Sequence, residues 1–171
     1  MTRCQTPWLM TDERLGEALF EAIARVPRGG GVVFRHDHAP DREELARRVA
    51  MACRARGLVL AVAGDPALAR SVDATFVHRP SGEPGMPFTL PVHDEMEART
   101  AADRGAALAF VSPVFPTRSH RGAPALGVEE ATRLARLCGC PAIALGGMDA
   151  ARFALLGDAF AGWAGIGAFR P

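Results

Sequence analysis

Short apolar runs alternate with amphipathic stretches along the chain, and this alternation constrains the fold more than any other feature. Eight such runs read as strands, at 7–10, 31–35, 58–63, 74–78, 88–92, 107–111, 141–145 and 163–169. Short apolar strands separated by helices mark a parallel sheet buried on both faces. Eight of them predict an α/β fold of the TIM type, a closed (β/α)₈ barrel. The competing arrangement is an open doubly wound sheet, which calls for a Gly-rich turn after the first strand. The segment after Met10 has no such turn.

The helices follow from periodicity and stop signals. Leu15, Leu19, Ala22, Ile23 and Val26 lie at helical spacing over 15–26, and Pro27-Arg28-Gly29-Gly30 stops that helix. Asp41 with Glu44 three residues on predicts a capping box, and Gly57 ends the helix it opens. A short helical turn is expected over 66–70, and helices over 94–104, 128–137 and 149–156. The stretch Arg79-Pro80-Ser81-Gly82-Glu83-Pro84-Gly85 reads as a loop, so a full fourth helix is missing. No helix follows the last strand either. The expectation is a short barrel variant formed by a single domain over 1–171, just under the ~200-residue lower limit of the fold. Without a closing helix, the outer face around Trp163 and Phe169 would be bare, and a homodimer would cover it.

Composition narrows the chemistry. Lys+Arg 20 against Asp+Glu 19 gives no electrostatic reason to expect nucleic acid or an anionic membrane as partner. No apolar run is long enough for a bilayer span, and Met1–Thr6 lacks a signal peptide's apolar stretch, so a cytoplasmic location is expected. The chain contains no Lys, which excludes a Schiff base. Of Cys4, Cys53, Cys138 and Cys140 only the last two are close, with a spacing unusual for zinc; buried or half-buried thiols are expected.

Functional residues of a barrel sit at the carboxyl ends of its strands. After the second strand comes Arg35-His36-Asp37-His38. Arg35 can grip phosphate bidentately and His36 can serve as acid or base, or the stretch is a polar turn. After the fifth, His93 either faces the mouth as acid or base or is a helix-start residue partnered by Glu97, and Asp94 reads as an N-cap. After the sixth, Thr117, Arg118, Ser119, His120 and Arg121 form an expected anion cradle in a long loop stiffened by Pro113 and Pro116. Gly146-Gly147 after the seventh strand, and Gly165 on the eighth, suit a phosphate held by backbone N–H groups.

Ser112-Pro113-Val114-Phe115-Pro116-Thr117-Arg118-Ser119-His120, Leu126-Gly127 before a helix, and Ala142-Ile143-Ala144-Leu145-Gly146-Gly147-Met148 resemble the thiamine phosphate synthase family, which also includes tautomerases of the TenI type. The resemblance implies a TIM barrel that joins hydroxymethylpyrimidine diphosphate to thiazole phosphate with Mg²⁺, releasing pyrophosphate. It gives Thr117, Ser119 and Gly147 contacts to the thiazole phosphate and makes His93 a family position. Of the family's Gln-x-Arg-x-Lys after the second strand, this chain keeps only Arg35. The family's Asn-Asp pair falls on Ala63-Gly64, which makes Asp65, one residue on, the metal candidate; Glu83 is a distant second. His120 replaces a Lys, Pro91 a Ser, and Trp163-Ala164 the final phosphate turn, while Pro113 stands where the tautomerases carry a catalytic His. The implied function is a synthase-like transferase with reduced or altered activity. The alternatives are a TenI-like isomerase on a thiazole phosphate, using His36, His93 or His120, and a non-catalytic binder of a phosphorylated ligand.

Overall fold

The computed structural model describes residues 6–117 and 124–171. Eight parallel strands follow in chain order round a closed barrel: β1 (Thr6–Met10), β2 (Gly31–Phe34), β3 (Val59–Ala63), β4 (Phe76–His78), β5 (Phe88–Val92), β6 (Leu108–Val111), β7 (Ala142–Leu145) and β8 (Gly162–Gly165). Between them lie α1 (Leu19–Arg25), α2 (Arg42–Arg56), α3 (Pro66–Ser71), α4 (Glu95–Asp103), α5 (Gly127–Leu137) and α6 (Ala150–Phe153). This is the short TIM-type fold the alternation predicts. No helix separates β4 from β5, and only a 3₁₀ turn, Gly167–Phe169, follows β8. No helix among the described residues is long and apolar enough to cross a membrane.

The chain divides into two compact units. One holds Pro7–Phe88 with Ile166–Pro171, the other Thr89–Gly165 with Thr6. In the first, β2 is buried at every position and β3 at all but Val59. In-register pairing of Val33 with Ala61, and of Ala63 with His78, brings the carboxyl ends of β2, β3 and β4 level. The predicted stripe Leu15, Leu19, Ala22, Ile23 and Val26 is buried, but the helix over 15–26 is not continuous. Glu13–Ala18 is a 3₁₀ stretch kinked at Gly16, whose φ of 50° and ψ of −128° no helix accommodates. The capping box at Asp41 is also corrected. Asp41 has φ −111° and ψ 43°, not the extended backbone of an N-cap, and its side chain makes no cap hydrogen bond. Glu44 pairs instead with Arg47 at 3.2 Å.

In the second unit, β5 to β8 pair in sequence, with Leu90 opposite Ala109, Phe110 opposite Ile143 and Ala144 opposite Trp163. Asp94 and Asp149 cap α4 and α6 as expected, accepting from the N–H groups of Glu97 and Arg152. The helix after Asp149 is shorter than the expected 149–156. The bare apolar face is a further correction: Trp163 is only 7% exposed and Phe169 only 4%. All of β8 is buried within the chain, and the closing 3₁₀ turn tucks Phe169 toward α1. The argument for a homodimer therefore loses its premise. Cys53 and Cys138 are buried free thiols, which burial pushes up to about 12, and Cys140 is half-buried.

Candidate functional site

The carboxyl ends of β1 to β4 carry a connected set of polar groups. Thr11 is its hub. Its Oγ1 accepts the Arg35 backbone N–H at 3.2 Å and lies 3.1 Å from His36 Nδ1, while its carbonyl accepts Arg35 Nε–H at 3.1 Å. With one lone pair of Oγ1 given to Arg35, the hydroxyl hydrogen is free to point at Nδ1. That arrangement leaves the His36 proton on Nε2. The ring is buried and stacked on Phe34 at 5.0 Å. Burial lowers its pKa and keeps it neutral.

Arg35 is half-buried, and burial lowers its pKa too, although a guanidinium stays charged. Its Nη2 stands 3.8 Å from Asp12, too far for a hydrogen bond, so among the described residues its Nη groups have no hydrogen-bond partner. Asp12 accepts instead from Arg14, through the backbone N–H at 3.0 Å and Nε–H at 3.1 Å. Burial alone would raise the pKa of Asp12; the hydrogen bonds and charge of Arg14 outweigh it and hold the carboxyl low.

Arg42, from the first turn of α2, reaches across the ends of β2 and β3. Its Nε donates to His36 O at 3.0 Å and its Nη2 to Ala63 O at 2.6 Å. The same guanidinium lies 3.4 Å from Asp37 and 3.5 Å from Asp65. Asp37 is also paired with Arg79. Arg79 holds φ at 44°, in the left-handed region, where a side chain costs roughly 1–3 kcal/mol. His78, at the end of β4, is buried; burial first, then the charges of Arg35 and Arg79, push its pKa down to about 3.

Asp65, the expected metal ligand, is otherwise engaged. One oxygen caps α3 by accepting Leu68 N–H at 2.9 Å, and the other faces Arg42. Magnesium in phosphate sites takes one or two free carboxylates at about 2.0–2.1 Å. Here each aspartate at these strand ends is matched with a guanidinium. Among the described residues no three His, Cys, Asp or Glu side chains come together. The donor set does not fit a divalent cation.

In the other unit, His93 is exposed and takes the helix-start arrangement. Its N–H and Nδ1 both meet Glu97 Oε2, at 2.6 and 2.8 Å. The Gly146-Gly147 turn after β7 packs on the segment that follows β6. Val114 N–H donates to Leu145 O at 2.9 Å and Phe115 N–H to Gly146 O at 3.1 Å. Gly146 has φ 96°, and a Cβ there would lie 2.6 Å from Pro113 Cα. Glycine is required on both counts. Thr117 is half-buried just beyond, and Gly165 ends β8. Arg118, Ser119 and His120 lie outside the described residues. Arg152, which donates to Gly147 O and stacks over Phe115 at 5.3 Å, adds a cation at this turn. Periodicity had no way to mark it.

A family model described as thiamine monophosphate synthase matches residues 8–169. The chain belongs to that family. A thiamine-phosphate synthase of Syntrophomonas wolfei is 30% identical over 160 residues, covering 83% of this chain and 77% of the relative. One of Geobacillus kaustophilus is 31% identical over 123 residues, 65% of this chain and 56% of the relative. The solved thiamine phosphate pyrophosphorylase of Pyrococcus furiosus superposes with a TM-score of 0.78 at 23% identity, covering 97% of this chain and 87% of that one. Members of the family are transferases of thiamine biosynthesis that bind small phosphorylated substrates and depend on magnesium in general.

Proposed function

We propose that the protein is a thiamine-phosphate synthase of reduced or altered activity, joining hydroxymethylpyrimidine diphosphate to thiazole phosphate and releasing pyrophosphate. The observation that carries this reading is the family match over residues 8–169. In it, Arg35 grips the diphosphate with Nη donors that make no hydrogen bond among the described residues. The thiazole phosphate is held by the Gly146-Gly147 turn, Gly165, Thr117, Arg118 and Ser119. His36 presents a neutral Nε2–H that can donate to a substrate oxygen, and His120 is the further acid–base candidate. A cytoplasmic location accompanies the reading.

The experiment is incubation of the purified chain with both substrates and chromatographic detection of thiamine phosphate. Product is expected, at a rate that falls when Arg35 is changed to Gln. Binding of both substrates without product would overturn the reading. One observation favours the isomerase alternative: His36 is held neutral and oriented by Thr11, as a proton-shuttling imidazole should be. Rearrangement of a thiazole phosphate alone, lost in His36→Ala, would establish that reading instead.

A further inference from the structure

We propose that this chain meets a diphosphate with arginines in place of a metal: Arg35, Arg42 and Arg79, at the carboxyl ends of β2, β3 and β4, form a pyrophosphate site that needs no divalent cation. The inference deepens the synthase reading and takes its substrate class from it.

Three observations converge on the site. First, the carboxylates that would hold a metal are committed. Asp65 caps α3 and faces Arg42, while Asp37 lies between Arg42 and Arg79. A cation brought to either aspartate would have to displace a guanidinium already there. Second, Arg42 is fixed where a metal ligand is expected. Its bonds to the carbonyls of His36 and Ala63 hold its charge at the end of β3, beside Gly64, where the family resemblance calls for a carboxylate. Third, donors remain for an anion. The Nη groups of Arg35 make no hydrogen bond among the described residues and have only the Asp12 carboxylate, 3.8 Å away, as an ionic neighbour, while Arg79 brings a second guanidinium, paired with Asp37, to the end of β4. Guanidinium pairs bind phosphate oxygens bidentately and supply the positive charge a metal otherwise brings.

The metal and arginine readings predict opposite effects for one isosteric change. In Asp65→Asn the amide oxygen still accepts Leu68 N–H, so the cap survives. The negative charge beside Arg42 is gone. If Arg42 serves the anion, pyrophosphate binding is kept or strengthened. If Asp65 holds a metal, binding weakens and its metal dependence goes.

The test is calorimetric titration of the full chain with inorganic pyrophosphate, once in EDTA and once in Mg²⁺. The expected result is binding in EDTA at least as strong as in Mg²⁺, which itself complexes free pyrophosphate. Asp65→Asn should bind at least as tightly, and Arg35→Gln should lose about tenfold or more, the scale of a charge-assisted hydrogen bond. Thermal melts verify that both variants are folded. Binding that requires Mg²⁺, weakening in Asp65→Asn, or no binding in either buffer would overturn the inference. Metal-free binding of pyrophosphate without formation of thiamine phosphate would leave this site standing and fell the synthase reading alone.

Discussion

Thr11 shows how much a single buried hydroxyl can organise. Its Oγ1 serves the Arg35 backbone and the His36 ring at once, and it is fully buried. Thr11→Val keeps the shape and removes the oxygen, leaving two groups without a partner. A buried polar group left unsatisfied costs about 1–3 kcal/mol, so the urea midpoint should fall by the equivalent of at least ~1 kcal/mol. An unchanged midpoint would mean that the hydroxyl carries no weight. Arg35 and His36 were legible in the sequence because they directly follow a strong strand. Thr11 and Asp12 follow the first strand by the same rule, but the run at 7–10 is short. Arg42 and Arg79 were not legible. Their roles depend on carbonyls and carboxylates contributed by other strand ends, and no local spacing encodes that.

At the scale of elements, caps and turns divide into those the sequence spelled out and those it did not. Asp94 and Asp149 have extended backbones and side chains bonded to the third N–H along. Asp41 has neither. Replacing Asp94 or Asp149 by Ala should therefore cost about 1 kcal/mol each, whereas Asp41→Ala should cost only a few tenths. Denaturant titration of the three variants distinguishes real caps from the sequence pattern alone. Gly146 is more demanding. Its positive φ and the 2.6 Å approach to Pro113 leave no room for a methyl group. Gly146→Ala should displace the segment after β6, lower the thermal midpoint and weaken thiazole-phosphate binding together. Normal affinity in a folded Gly146→Ala protein would remove the turn from the proposed phosphate site. The strands themselves were legible because burial on both faces leaves continuous apolar runs. The 3₁₀ start before α1 was not, because the stripe over 15–26 is apolar at the right spacing whether or not Gly16 breaks the helix.

Across the molecule as a whole, the absence of a helix between β4 and β5 could be read directly from the Pro and Gly content of 79–85. The burial of Trp163 and Phe169 could not, because no local pattern marks the 3₁₀ turn that turns Phe169 inward. The balance of charge was legible too, but not where histidine would be trapped uncharged. His36 and His78 are both buried, and both have pKa values lowered by folding, His78 to about 3. An unfolded chain protonates its histidines near pH 6.5, roughly their free value. Below that, the unfolded state binds more protons than the folded state, and stability falls with pH. The stability is fully present above about 6.5 and is lost as acidity moves toward the folded pKa values, at about 1.4 kcal/mol per pH unit from His78 alone. Asp12, whose folded pKa is lowered from 3.8, keeps its full contribution above that value, so the loss of stability between about pH 7.5 and about pH 5 is not its own. Urea titrations at about pH 7.5 and about pH 5 should then show a clear loss of stability at the lower value, and His78→Gln should flatten that slope. In the folded protein the His78 ring should give an NMR shift that does not move across the same interval. A ring that titrates near its free value, or a slope the substitution leaves untouched, would show that His78 accepts a proton in the folded state despite its burial and the neighbouring charges of Arg35 and Arg79.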